Sequence, residues 1–155
     1  MNRNNILVYV LAAITISTAI IYFILAYNEY TSLIEFAAEG LDGEISELQI
    51  EIALFAGSGI IYLGLVGWIL VNKLKNIVSY SILIGVSTIL IITYAASRTI
   101  GVPIIGVEFY IGKYDILTKV LQGIIIAVSG YLVYRIATLK KSRTQEKNLK
   151  NKSKT

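Results

Sequence analysis

Four long apolar runs constrain the fold of this chain more than any other feature of its sequence. They extend over residues 6–27, 52–71, 77–97 and 116–134. A helix rises about 1.5 Å per residue and pairs its own backbone groups, so about 20 residues cross a hydrocarbon layer of about 30 Å. A soluble domain of 155 residues could not hide four such runs from water. The sequence therefore predicts an all-α fold, a four-transmembrane-helix bundle with up-down-up-down topology.

The runs and their polar flanks define one transmembrane domain and a tail. We expect helices at about 6–27, 48–72, 77–97 and 115–139, within a domain formed by residues 1–139. Residues 140–155 have almost no apolar content and cannot bury enough surface to fold. We therefore predict a disordered basic tail that contacts anionic lipid. Nucleic acid is a less suitable partner, because no aromatic residue interleaves these charges.

The basic residues are distributed unevenly between the two sides of the predicted bundle. Eleven of the 14 fall on the side of the termini, whereas nine of the ten acidic residues fall on the other side. Short loops rich in Lys and Arg stay in the cytoplasm. The positive-inside pattern predicts a multi-pass protein of the plasma membrane with cytoplasmic N- and C-termini and an acidic outer face.

The connections between the runs differ in character. Residues 72–76 predict a tight inner turn. Residues 28–47 predict a short interfacial helix that ends at Gly40 or Gly43. Residues 98–115 are apolar but contain three glycines and the only proline, so they predict an extracytoplasmic cap that turns at Gly101 and Pro103 and folds onto the outer helix ends.

Polar residues gather at the outer ends of helices two, three and four. A charge within a bilayer is costly, so it normally faces the bundle interior and pairs with an opposite charge. We expect Glu47 or Glu51 to pair with Arg98 or Lys119 and lock the helices together; the alternative is a ligand, ion or proton site beneath the cap. The candidate residues are Glu47, Glu51, Arg98, Glu108, Asp115, Lys119 and Gln122.

Residue types that carry common catalytic chemistry are missing. The sequence has no cysteine and no histidine, which excludes thiolate and imidazole metal ligands, cysteine nucleophiles and the only side chain whose unperturbed charge changes near neutral pH. The acidic residues do not follow the spacing of an EF-hand loop. We therefore predict no catalytic residue, no metal, no cofactor and no enzyme activity.

Small residues and tyrosines recur along the runs. Small residues lie near one face of helix two at Ala53, Ala56, Gly57, Gly64 and Gly67, and of helix four at Gly123, Ala127 and Gly130. They predict close packing inside the bundle, or alternatively the seam of a homodimer. We interpret nearly all of the eleven tyrosines as an aromatic belt at the membrane surfaces.

One stretch of the chain resembles a known group of proteins. The matching positions are Ser97–Pro103, Glu108, Gly112, Asp115 and Gln122. Together they resemble small four-helix archaeal and bacterial membrane proteins of unknown function, over roughly helices two to four. The resemblance implies the same fold and a shared outer cluster, and it implies no activity. Relatives often carry a histidine near the start of helix two, where this chain has Glu47 and Glu51.

These observations predict a non-catalytic membrane component, either an accessory subunit or a small-ligand binder that uses its outer polar cluster. The expected partners are the lipid bilayer and either other membrane subunits or a second copy of the chain. A small transporter or channel, active as an oligomer, is the alternative. It would need a continuous polar path through the bundle.

Overall fold

A computed structural model describes residues 3–39, 42–101 and 112–152, with side chains at 5–39, 45–101 and 112–142. In this part of the chain there are four long helices: α1 Arg3–Glu39, α2 Asp42–Asn72, α3 Val78–Thr99 and α4 Lys113–Lys152. A 3₁₀ turn at Lys73–Lys75 joins α2 to α3. All four helices are long and apolar enough to cross a membrane. The predicted all-α four-helix bundle is confirmed.

The helices pack in a ring in chain order. α1 packs most extensively on α2 and α3 on α4, α1 also contacts α4, and α2 contacts α3 much less. The pairs α1/α3 and α2/α4 therefore lie across the diagonals. We name the two ends of the bundle after residues: the Arg98 end, where α1 and α3 finish, and the Lys73 end, where α2 turns into α3.

The predicted interfacial helix between the first two spans is wrong. α1 continues without a break from the apolar run to Glu39, and α2 starts at Asp42. Residues 28–39 contain no glycine or proline, and half of them have high helix propensity. Their acidic residues end the apolar run but do not end the helix.

The α1–α2 hairpin rises above the other two helices. A hydrogen-bonded set of side chains, Tyr22, Tyr62, Ser87 and Gln122, fixes one common level. From there to the helix ends at the Arg98 end, the first two helices have 17 and 20 residues and the other two 12 and 9. At about 1.5 Å per residue the hairpin reaches roughly 25–30 Å and α3 and α4 roughly 13–18 Å.

Both ends of α3 are shaped by residues in left-handed backbone conformations. Gly101 has φ 78°, and its N–H shares the Ala96 carbonyl with the N–H of Ile100, each at 3.0 Å. A glycine C-cap of this kind ends the helix at the predicted cap turn; Pro103 lies outside the described residues. At the other end Lys73 has φ 41°, and the Tyr80 hydroxyl donates to its carbonyl at 2.7 Å. The predicted tight turn is confirmed.

The C-terminal segment differs from its prediction. α4 runs through residues 140–152, which composition predicts to be unfolded, and ends at Lys152. The prediction of a disordered tail is wrong over these residues. The membrane span supplies the helix nucleus, so each further residue adds a hydrogen bond without a new nucleation cost. Lys, Arg, Gln and Glu also have high helix propensity.

The bundle core is densest toward the Lys73 end. Leu11, Ile69, Leu83 and Leu132 have no exposed surface, and Tyr80 is buried beside them. These side chains come from all four helices, so they close the middle of the bundle. The dense packing leaves the Arg98 half as the place where a cavity can form.

The small residues do not pack as predicted. A Cβ added to Gly57, Gly64, Gly67, Gly123 or Gly130 would meet nothing within 4 Å. The expected close packing at these glycines is therefore wrong, because α2 and α4 lie across the bundle from each other. The close approach is at Gly59 instead, where an added Cβ would lie 2.9 Å from the Phe23 ring. The homodimer seam stays a prediction.

Candidate functional site

A buried polar network joins all four helices at the middle of the bundle. The Gln122 amide Nε2 donates to the hydroxyls of Tyr22 at 2.8 Å and Tyr62 at 3.1 Å. The Tyr62 hydroxyl and the Ser87 hydroxyl are 3.0 Å apart and share a hydrogen bond. Each of the four side chains is at most 3% exposed. Hydrogen bonds of this kind hold transmembrane helices together, because the groups have no water to bond instead.

Aromatic packing holds the network in place. The Tyr22 and Tyr62 rings stack with centroids 5.9 Å apart, and Phe55 packs against Tyr22 with centroids 6.2 Å apart. The Oε1 atom of Gln122 is buried without a hydrogen-bond partner among the described residues. A tyrosine hydroxyl both donates and accepts. The side-chain amide of Gln122 can therefore form hydrogen bonds with the two hydroxyls in either of its flipped orientations.

A cavity of about 600 Å³ lies on the Arg98 side of this network. All four helices line it, with apolar walls and a polar rim. The apolar wall includes Leu25, Leu54, Phe55 and Leu90. The charged residues that line it are Glu29, Glu51, Arg98, Lys113, Asp115 and Lys119. Its size falls within the range of about 300–1,000 Å³ that is typical of small-molecule sites.

An ion pair ties α3 to α4 at the rim. The Arg98 Nη2 donates to Asp115 Oδ2 at 3.3 Å, and both side chains are less than a fifth exposed, at 13% and 17%. Asp115 Oδ2 also accepts the backbone N–H of Gly112 at 3.0 Å. An acidic residue in the first turn suits the positive end of the helix and reaches back to its first backbone donors. Asp115 therefore both starts α4 and pairs with α3.

Lys119 has a different environment. Its ammonium lies over the Tyr94 ring at 4.8 Å and the Tyr22 ring at 5.8 Å, and it is 3.4 Å from the Tyr22 hydroxyl. Among the described residues, no carboxylate lies within ion-pair distance of this ammonium. Of the pairings predicted for Glu47 or Glu51, with Arg98 or with Lys119, the one with Lys119 is therefore not formed. Aromatic faces attract the cation, but they carry no net charge of their own.

The structure brings together most of the residues that the sequence predicts. Glu51, Arg98, Asp115 and Lys119 all line the cavity, and Gln122 lies one turn below in the network. Glu47 is exposed and does not line it. The predicted site residue Glu108 lies outside the described residues. No group of three acidic residues among the described positions is arranged to hold a metal ion.

The tyrosines are the residues that sequence reasoning missed. Tyr22, Tyr62 and Tyr80 are almost completely buried. The aromatic-belt interpretation is therefore wrong for Tyr22 and Tyr80, and it did not include Tyr62. The burial of Tyr62 could have been predicted from its position, because it lies in the middle of the second apolar run, far from either membrane surface. A polar aromatic residue at that depth needs a hydrogen-bond partner, and Gln122 in the fourth run supplies one.

Comparison with known proteins finds no protein-family model, no curated protein and no solved structure that matches this chain. The fold and the cavity define a four-helix membrane protein with a polar site between its helices.

Proposed function

We propose that this chain is a non-catalytic membrane protein that binds a small ligand in the cavity at its Arg98 end. The observation that carries the proposal is a cavity of about 600 Å³ with an apolar wall and a few converging charges. Binding sites for small molecules have this composition, since the wall contributes contact area and the polar groups fix orientation. The ion pair and the Lys119–tyrosine contacts hold those polar groups in position.

The distribution of charge supports an outward-facing cavity. Lys73, Lys75 and Arg135 belong to the Lys73 end of the bundle, and α4 carries a further basic segment beyond it. By the positive-inside rule, that end of the bundle lies on the cytoplasmic side of the plasma membrane. The ligand would then be a molecule of the outer leaflet or of the space outside it.

The core of the Lys73 half supports binding over transport. Transport requires a polar path across the whole membrane. Below the network, Leu11, Ile69, Leu83 and Leu132 are fully buried and fill the space between the helices. The cavity therefore has a closed floor, as expected of a binding site.

Native mass spectrometry of the full chain, purified from its membranes in mild detergent, tests the proposal. Ser58 is buried and lines the cavity, so Ser58→Phe should fill it and remove a co-purifying small molecule. Ser81 is exposed in the part of α3 near the Lys73 end. Ser81→Phe is therefore the matched control and should retain the co-purifying molecule. Equal occupancy in both variants, or an empty wild-type protein, contradicts the proposal.

The hairpin supports a second candidate, an accessory subunit. Beyond the level at which α3 and α4 end, α1 and α2 still form a helical pair, and Glu35, Glu39 and Glu47 are exposed there. An acidic pair of helices suits contact with a basic partner. Detergent pull-down followed by mass spectrometry tests this candidate. A partner lost on combined Glu35→Lys and Glu39→Lys substitution supports it, and recovery of the chain alone contradicts it.

A further inference from the structure

Two cavity-lining residues on the side of the bundle between α2 and α3 are exposed. Leu54 on α2 and Thr93 on α3 both line the cavity and are both exposed. These two helices also share the least contact of any consecutive pair. An opening between them would connect the cavity with the surroundings of the bundle.

The opening would lie at the depth of the lipid chains. Ser87 is near the middle of α3 and bonds to Tyr62 at the same level. Thr93 lies six residues from Ser87 and Leu54 eight from Tyr62 toward the Arg98 end, which is roughly 9–12 Å. Half of a hydrocarbon layer is about 15 Å thick. A molecule from the bilayer would thus reach the cavity without passing through water.

The wall of the cavity presents a cation, Lys119, that forms no ion pair with any described residue. Asp115 is engaged by Arg98 and by the N–H of Gly112, whereas the Lys119 ammonium is held by the faces of Tyr22 and Tyr94. A charge at this depth is stabilised by an opposite charge more than by aromatic faces. The cavity is therefore complementary to an anion beside Lys119.

Building on the binding function proposed above, we infer that the ligand is a single-chain anionic amphiphile, such as a fatty acid or an alkyl phosphate. Its anionic group binds the Lys119 ammonium, and its chain leaves the bundle between Leu54 and Thr93. The wall formed by Phe55 and Leu90 contacts the first part of the chain. A volume of about 600 Å³ accommodates one chain and a small headgroup.

Three probes separate the parts of this inference: dodecyl phosphate, dodecanol and inorganic phosphate. Each is titrated against the full chain in nanodiscs of zwitterionic lipid, and bound probe is counted by native mass spectrometry. We expect dodecyl phosphate to bind at least about tenfold more tightly than the other two, because only this probe combines charge and chain.

Two pairs of variants test the two contacts. Lys119→Met should weaken dodecyl phosphate binding at least about tenfold, and Lys119→Arg should restore it, whereas Lys75→Met, which removes an exposed cation elsewhere, should change nothing. Leu54→Trp should narrow the opening and weaken binding. Ile89→Trp, on the exposed face of α3 outside the cavity, is its control.

The outcomes distinguish this inference from the proposed function. Equal binding of dodecanol and dodecyl phosphate, or full binding by Lys119→Met, overturns the anion contact. Equal binding of inorganic phosphate, or full binding by Leu54→Trp, assigns the ligand to the aqueous phase and overturns lateral entry. If no probe binds while Ser58→Phe still removes a co-purifying molecule, only the ligand class is wrong. If neither result is obtained, both proposals fail.

Discussion

The interiors of the two halves of this bundle differ: one is filled with aliphatic side chains and the other contains a cavity. Toward the Lys73 end, fully buried aliphatic side chains such as Leu83 and Leu132 fill the space between the helices. Toward the Arg98 end, the same four helices enclose a cavity lined by six charged residues. The Gln122 network lies at the boundary between the two halves.

This difference predicts how stability is distributed between the two halves. In lipid, van der Waals packing and hydrogen bonds hold helices together, because water does not drive their association. The Lys73 half has more fully buried aliphatic side chains, so we expect it to contribute most of the stability. The Arg98 half leaves volume unfilled and charges partly desolvated. Both features lower the stability of the bundle, and a bound ligand would offset this loss.

The largest expected effect is a difference between two leucine truncations. Leu132→Ala should destabilise the bundle by about 2–4 kcal/mol, since it opens a void in the closed half. Leu25→Ala should cost less than about 1 kcal/mol, because Leu25 already faces the cavity. Reversible unfolding in mixed micelles measures both. Equal losses would mean that the two halves are packed alike.

The network at the boundary should give the next largest effect. Gln122→Leu leaves the hydroxyls of Tyr22 and Tyr62 without their shared donor, which should cost about 1–2 kcal/mol. Tyr62→Phe removes one hydroxyl and should cost about 1 kcal/mol. Tyr131→Phe, at an exposed position, is the control in the same unfolding assay. A loss for Tyr131→Phe as large as that for Tyr62→Phe would exclude a special role for the network.

The Arg98–Asp115 ion pair should contribute less, because both side chains keep some contact with the surroundings. In a double-mutant cycle of Arg98→Gln and Asp115→Asn, we expect a coupling free energy of about 0.5–1 kcal/mol. A parallel cycle with Lys113→Gln in place of Arg98→Gln should give no coupling, since the Lys113 ammonium lies over the Tyr114 ring. Additive losses in the first cycle would rule out the pair.

Hydropathy was sufficient to predict the spans but not the full length of the helices. The four runs predicted α3 to within two residues at each end. α1 extends to Glu39, twelve residues beyond the predicted end at residue 27, because acidic residues stop an apolar run without stopping a helix. The same reason explains α4, whose basic extension stays helical to Lys152.

The candidate site was predictable as a place but not as a set of contacts. Charged residues are rare within a membrane, and for this reason the sequence identified Arg98, Asp115 and Lys119 as candidate site residues. All three line the cavity. Helical spacing did not reveal which acidic residue faces inward, because that depends on the rotation of α2 against its neighbours. The partners of Lys119 are tyrosines, which composition alone assigns to the membrane surface.

The smallest expected effect comes from a pair of glutamates one turn apart on α2. Glu47→Gln should change stability by less than about 0.5 kcal/mol and leave ligand binding unchanged, because Glu47 is exposed and outside the cavity. Glu51→Gln removes a negative charge from the cavity lining. It should raise the affinity for dodecyl phosphate about two- to fivefold by reducing repulsion of the anion. Equal effects of the two substitutions in the nanodisc titration would show that α2 is not rotated as described, and that the rim of the cavity extends to Glu47.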